Sequence, residues 1–509
     1  MKRSSIVHIV LPLLCFAVLG FLVMGYHPGA EDDAIYLSSV KADLNPSLYP
    51  HDAAFFQLQM RTSVFDTWMA YFVRCSHLPL AWAELLWQCL SILLILWASW
   101  SIVCRLFQET AARWGAVAML AAMFTLPVAG TALFILDQYL HPRGLATALL
   151  LFAVARVLAG KGWQAAALAA LAFVLHPLMA AFGISFCCLL TFTTHEPLPA
   201  QLRTLRLRLI PQGASPVVAL IPFAWALDPP SPTWVKAMQT RHWLRIYQWT
   251  WYEWLGAIAP LLLFWLLARV ARKHKEVRLA RFATAVFLYG ALQQAVALLL
   301  LSPPAPVALC TLEPMRYLHL VYLFLALMGG ALMGKYLLQA HLARWALFLL
   351  LVNGAMAYAQ RQLFPASPHL ELLSVDSGNP WLQAFAWIRQ NTPADAYFAL
   401  DPNYMSAPGE DYHSFRALAE RSVLADGVKD TAVVTKIPEL GPVWDRQLKA
   451  QQGWERFQLA DFQRLKTEFG VSWVLVHYPQ PAGLDCPWHN GELAVCKVGV
   501  RDWGKGFSN

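Results

Sequence analysis

Apolar runs of about 15 to 25 residues recur along the chain as far as about residue 362, and each is long enough to cross a bilayer as a helix. They fall at about 5–26, 79–104, 114–135, 144–159, 163–176, 178–194, 210–227, 254–270, 282–302, 316–334 and 344–361, which predicts about eleven transmembrane helices. Composition agrees, since 58% of the 509 residues are hydrophobic and only 14% are charged, too apolar for a soluble protein of this size. The first run follows Lys2 and Arg3 and has no small-residue cleavage site after it. It therefore reads as a retained helix rather than a cleaved signal.

The basic residues test that assignment. A net charge of +8 can mean nucleic-acid binding, but here Lys and Arg sit in short clusters between apolar runs, where they set topology, so no nucleic-acid partner is expected. With Lys2 and Arg3 in the cytoplasm, every second loop is basic: Arg105 and Arg113, Lys161, Arg203 with Arg206 and Arg208, the stretch 269–281, and Lys335 with Arg344. An odd number of spans then puts the region after about 362 outside. For a Gram-negative cell this predicts a multi-pass inner-membrane protein with a cytoplasmic N-terminus and a periplasmic C-terminus.

Two domains follow, a transmembrane domain over 1–362 with a long first outer loop at 27–78, and an extracytoplasmic domain over 363–509. The loop carries an apolar stretch with Arg61, Asp66 and Arg74 interspersed, expected as one or two amphipathic helices on the membrane surface. From about Gly378 the pattern reads helix, strand (395–400), helix (411–420), short strand (SVLAD), two helices, strand (VSWVLVHY), turn and strand (LAVCKV). That alternation predicts a small α/β domain with a largely parallel sheet and a hairpin edge. It has no glycine-rich nucleotide motif. Cys486 and Cys496 are the candidates for a disulfide clipping the hairpin, given an oxidising compartment.

The candidate chemistry lies in the outer loops. Glu31, Asp32 and Asp33 follow the first span directly; they are candidates for a general base or, for Asp32 and Asp33, for ligands of a divalent cation such as Mg²⁺ or Mn²⁺. The plainer alternative is an acidic helix N-terminus. Arg143, Arg241, Arg245 and Arg316 lie on the outer side against the topological bias, and with His141 and His242 they are candidate clamps for a lipid phosphate. Ordinary headgroup contact is the alternative for them. Asp137, close to His141, is a candidate for the base or the metal site, and His176, at the end of an apolar run, is a functional candidate with a helix-end cap as the alternative.

This layout resembles the GT-C superfamily of membrane glycosyltransferases: a first outer loop opening with acidic residues, about eleven spans and an extracytoplasmic α/β domain. HPGAEDD at 27–33 is similar to the acidic motifs that open the first loop there, with Gly29 and Ala30 as a departure that leaves the carboxylate ambiguous. The segment with Phe415, Arg416, Ala419, Arg421, Ser422, Val423, Asp426 and Lys429 looks like that of uncharacterised bacterial membrane proteins. The resemblance implies transfer of a sugar from a polyprenyl-phosphate donor to an unidentified acceptor on the outer face, with inversion at the anomeric carbon. In that reading Asp32 or Asp33 is the base or metal ligand, with Arg143 and Arg316 on the donor phosphate. Readings of other classes are a transporter or flippase for a lipid-linked or anionic solute, and a non-catalytic scaffold of envelope assembly.

Overall fold

The computed structural model describes residues 3–194, 230–302, 307–372 and 378–499. Among them, six helices are long and apolar enough to cross a membrane: Val7–Met24, Leu80–Leu106, Trp251–Lys273, Val277–Leu301, Val307–Leu338 and Leu342–Leu363. Two apolar helices are shorter, Gly162–Leu175 and Pro177–Thr193. The expected count of eleven is thus not confirmed, and the expected span at 210–227 lies outside the described residues. The run at 114–135 is not a single span either. Its helix, Thr110–Ala122, stops before Pro127, and a hairpin of strands β1 (Pro127–Val128) and β2 (Leu133–Phe134) carries the chain back toward Asp137.

Small residues let these helices approach closely. A Cβ on Gly115 would stand 2.3 Å from the Gly330 carbonyl oxygen, so helix Thr110–Ala122 lies almost backbone to backbone on helix Leu318–Met333.

The first loop folds into three helices, Asp33–Leu44, Ala54–Met60 and Phe65–Ser76. Much of their apolar side is covered by protein. Ile35, Val40, Phe55, Phe56 and Met60 share one buried core with Val433, Val434 and Trp444 of the C-terminal region. Burial against another protein layer removes the same apolar area from water and leaves the polar loop ends exposed.

The C-terminal domain is built on a five-stranded sheet. Its strands are β3 (Tyr397–Ala399), β4 (Ser422–Val423), β5 (Trp473–His477), β6 (Asp485–His489) and β7 (Leu493–Lys497), in the order β4-β3-β5-β7-β6. β3 runs parallel to β4 and β5, whereas β7 is antiparallel to β5 and β6, so the sheet is half parallel rather than largely so. Phe385, Phe398, Phe415 and Trp473 fill one face, and Ala399, Phe462, Leu465 and Val474 the other. Cys486 and Cys496 are joined by a disulfide across β6 and β7.

Two local differences from the expected elements matter for the site. Residues 411–414 stay out of the helix, which is only Phe415–Ala419, and Ala30 pairs with His413 in an antiparallel bridge. The stretch after SVLAD forms a helix, Lys429–Lys436, that the sequence pattern did not announce.

Candidate functional site

The acidic loop is held by backbone geometry. Gly29 adopts φ +81°, and a Cβ there would lie 2.5 Å from Leu418 Cδ2, so this position accepts only glycine without movement. Its carbonyl accepts from Ser414 N at 2.8 Å, and Glu31 N donates to the Tyr412 carbonyl at 2.8 Å. The Gly-Ala pair thus stitches the first loop to residues 412–414 of the C-terminal domain.

The three carboxylates part company from there. Asp33 opens helix Asp33–Leu44, and its Oδ2 accepts from Gly29 N at 2.8 Å in a buried position. Burial, with the nearby Glu84 carboxylate, pushes Asp33 well above the usual range. Glu31 and Asp32 face a cavity of about 1240 Å³ that lies between the first loop, the helix ends and the C-terminal domain. Adjacent residues at a helix start point to different sides, so Asp32 and Asp33 do not share one opening.

In the cavity, Lys429 Nζ pairs with Glu31 Oε2 and lies 3.1 Å from Asp32 Oδ1. His141 Nε2 is 3.7 Å from Asp32 Oδ2, and Tyr139 Oη accepts from Asp32 N at 3.1 Å. His141 Nδ1 accepts from Arg143 N at 2.9 Å, capping helix Pro142–Val157, so in the neutral ring the proton is on Nε2, facing Asp32. Burial pushes the Asp32 carboxyl up, but Lys429, His141 and Arg143 outweigh it and hold it well below the usual carboxylate range. Lys429 is displaced upward: burial opposes its charge, and Asp32 and Glu31 overcome that.

The remaining cations of the cavity come from four segments. Arg143 is buried and makes a two-pronged pair with Asp137, through Nε at 3.2 Å and Nη2 at 2.5 Å. Arg316 Nε lies 2.7 Å from Glu313 Oε2, and Lys436 Nζ lies 3.3 Å from Glu313 Oε1 and donates to the Thr311 carbonyl at 2.7 Å. Arg241 donates through Nη2 to the Val428 carbonyl at 2.5 Å and lies over the Trp243 ring. Among the described residues its Nε has no acceptor. Burial depresses Lys436; Glu313 holds it up, while Arg316 and Arg241 press it down further. Arg241, Arg316 and Lys436 thus gather around one carboxylate, that of Glu313, in this part of the wall.

His176, in the same wall, caps the start of the next helix through Met179 N at 3.4 Å. His242 pairs with Glu253 at 2.9 Å, and Arg245 donates to the Gln239 carbonyl outside the cavity wall.

The structure thus brings Glu31, Asp32, Asp137, His141, Arg143, His176, Arg241, His242 and Arg316 into one wall, and sets Asp33 and Arg245 apart from it. A divalent cation shared by Asp32 and Asp33 does not fit this donor set. Asp33 turns away, and the Lys429 ammonium lies between Glu31 and Asp32. Lys429 and Lys436 are residues that sequence reasoning did not count toward the site. They stand seven residues apart on one side of the unannounced helix, one at each end.

The segment Phe415–Lys429 has a structural logic as well. Arg416 is buried, donates to Asp52 Oδ2 at 2.5 Å and to both oxygens of Asp430 at 2.7 and 2.8 Å, and covers the Phe55 ring. Val423 N also donates to Asp52 Oδ2 at 3.0 Å, and Asp426 Oδ1 accepts from the N–H groups that start helix Lys429–Lys436. Arg421 Nη2 donates to the carbonyls of Arg389 and Thr392. The segment therefore locks the first loop to the sheet and aims Lys429 at the carboxylates.

The Lys429 pairing has a pH signature. The folded-state value of Asp32 lies below its ordinary 3.8, so the pairing contributes stability that is complete above about pH 4 and is lost as pH falls further. Lys429→Met is expected to lower the midpoint of thermal unfolding at pH 7, with the gap to the wild type narrowing below pH 4. A gap that stays constant from pH 7 to pH 3 contradicts this.

A family model described as a domain of unknown function, DUF6798, matches residues 379–432, a stretch that includes Arg416, Asp426 and Lys429. No curated protein matches the chain. Among solved structures, the chain is similar to the archaeal oligosaccharyltransferase AglB from Archaeoglobus fulgidus, in complex with an inhibitory peptide and a dolichol-phosphate. The identity is 11% and the TM-score 0.45, over 92% of this chain and 69% of that one.

Proposed function

We propose that this multi-pass membrane protein is a glycosyltransferase that moves a sugar from a polyprenyl-phosphate donor to an acceptor hydroxyl, with Asp32 receiving the hydroxyl proton. The observation that carries this reading is the meeting, in one cavity, of a carboxylate held ionised and a patch where Arg241, Arg316 and Lys436 gather around the Glu313 carboxylate. The membrane setting is the bacterial inner membrane with the C-terminal domain on the periplasmic side.

The steps follow from charge. The donor phosphate docks on Arg241, Lys436 and Arg316, whose positive potential suits a leaving group that departs as an anion. Arg143 is engaged by Asp137 and acts on the cavity as a fixed charge that helps keep Asp32 ionised. As resting-state partner of Asp32, Lys429 makes that carboxylate a weak base. An acceptor hydroxyl that displaces the ammonium from Asp32 takes its place against the carboxylate, which is then free to receive the proton. The acceptor oxygen then bonds to the anomeric carbon from the face opposite the phosphate, its proton passes to Asp32, and the carbon–oxygen bond to phosphate breaks. The configuration inverts, and polyprenyl phosphate leaves with its charge on the arginines and lysine. None of these steps is routed through a divalent cation.

Arg241→Ala and Lys436→Met are expected to raise the donor KM about 10–100-fold with a smaller change in kcat, because the phosphate is charged before and after transfer. Steady-state transfer in proteoliposomes checks this. A loss confined to kcat, with KM unchanged, would remove these residues from donor binding.

A further inference from the structure

Behind the acidic loop, away from the cavity wall, three segments converge on a second group of side chains. His27 Nδ1 lies 2.6 Å from Glu371 Oε1, and His413 Nε2 lies 3.0 Å from each oxygen of the same carboxylate. The three ligating atoms all fall within 4.8 Å of one another. Both rings are fully buried, while Glu371 keeps 11% of its side chain exposed. His27 stacks on Phe364 at a centroid separation of 3.7 Å.

From these contacts we infer a structural transition-metal site, of the kind that takes Zn²⁺, ligated by His27 Nδ1, Glu371 and His413 Nε2 with a water in the fourth position. The inference goes beyond the proposed transfer reaction and does not depend on it.

Four features carry it. Two imidazoles and one carboxylate form a donor set suited to zinc and unsuited to Mg²⁺ or Ca²⁺, which favour oxygen ligands. Zinc bonds of about 2.0–2.1 Å in a tetrahedral arrangement separate ligand atoms by about 3.4 Å, so the contacts at 3.0 Å and 2.6 Å would open by about 0.4 and about 0.8 Å to admit the ion. The three side chains are buried together, with Glu371 keeping only 11% of its side chain exposed, and a divalent ion between them would supply a counter-charge to that carboxylate.

The fourth feature lies one layer out. Among the described residues His413 Nδ1 and Asp411 Oδ2 have no hydrogen-bond partner, and they face each other at 4.0 Å. A carboxylate behind the second nitrogen of a ligating histidine is the usual way such a ring is oriented on its metal. Asp411 is itself fixed by Ala366 N at 3.2 Å.

The site would join the start of the first loop, the segment after helix Leu342–Leu363 and the C-terminal domain at one point. Ala30 bridges to His413, so the metal would brace the loop that presents Glu31 and Asp32.

Metal binding by the full-length, tag-free chain in detergent tests this. After chelation and dialysis, the protein is titrated with Zn²⁺, with Co²⁺ absorption as a second readout of ligand geometry. One equivalent of Zn²⁺ is expected to bind and to raise the thermal midpoint. Glu371→Gln, which keeps the shape but replaces one acceptor oxygen by an amide donor and removes the charge, is expected to weaken binding at least about 100-fold, and Asp411→Asn about 10–100-fold. Asp32→Asn is expected to bind as the wild type does. Stoichiometric binding that survives Glu371→Gln, binding lost in Asp32→Asn, or a folded wild type that takes up no Zn²⁺ would each overturn the site.

Discussion

Asp32→Asn is expected to lower the transfer rate by about 10²–10⁴-fold while leaving the protein folded. The amide cannot take the proton of the acceptor hydroxyl, and loss of a positioned base costs about that much. Asn keeps the shape of the side chain and a carbonyl that Lys429 can still approach at a distance like the observed 3.1 Å. Binding of the donor should therefore change little. Glu31→Gln is expected to cost less, because Glu31 meets the same ammonium but carries no proton in the proposed steps. Transfer assays on proteoliposomes, normalised to folded protein by size-exclusion profile, decide it. If Asp32→Asn retains transfer within a factor of three while Glu31→Gln abolishes it, the base is the neighbouring carboxylate.

Arg416→Met carries the largest expected effect on stability. The guanidinium is buried among Asp52 and Asp430, with the Asp426 carboxylate 3.9 Å away. Removing it leaves at least two carboxylates buried without their cation, and breaking one partner of a buried pair costs about 3–5 kcal/mol. For a domain of this size that corresponds to a drop on the order of 10 °C in the unfolding midpoint. Arg416→Lys should fall nearly as far, since a single ammonium cannot reproduce the fork that meets both oxygens of Asp430. Double replacement of Asp52 and Asp430 by Asn in the Arg416→Met background is expected to recover part of the loss. Intrinsic-fluorescence melting checks all three. A midpoint within 2 °C of the wild type for Arg416→Met would remove the pin between the first loop and the sheet.

These two residues also mark where the sequence was readable and where it was not. Asp32 was visible because carboxylates directly after an apolar run stand out against a chain with few charges. What separated it from Asp33 was local geometry, the start of a helix that turns consecutive side chains apart. Arg416 pairs with Asp52 across 364 residues of chain, a contact that no local pattern encodes.

The helix carrying Lys429 and Lys436 was missed for a propensity reason. Its interior, Thr431 to Thr435, is rich in β-branched residues, which favour strands, and Pro438 follows closely. Asp426 at its start and burial against the first-loop helices outweigh that preference. The long helices were legible from apolar length alone, whereas the run at 114–135 misled because its Pro127 sits inside an otherwise uniform stretch. The first-loop helices were recognised as amphipathic, but periodicity gives the apolar face without saying what covers it.

The central claim is that a lipid-linked sugar loses its phosphate in the cavity beneath Asp32. Its most direct test is mass spectrometry of lipids from proteoliposomes that hold the full-length protein and an extract of polyprenyl-phosphate sugars from Gram-negative envelopes. The wild type is expected to release polyprenyl phosphate in step with the appearance of a glycosylated acceptor, and Asp32→Asn to yield neither. Lipid-linked sugar that crosses the bilayer intact, at equal rates in the wild type and Asp32→Asn, would rule out transfer at Asp32 and make the protein a carrier.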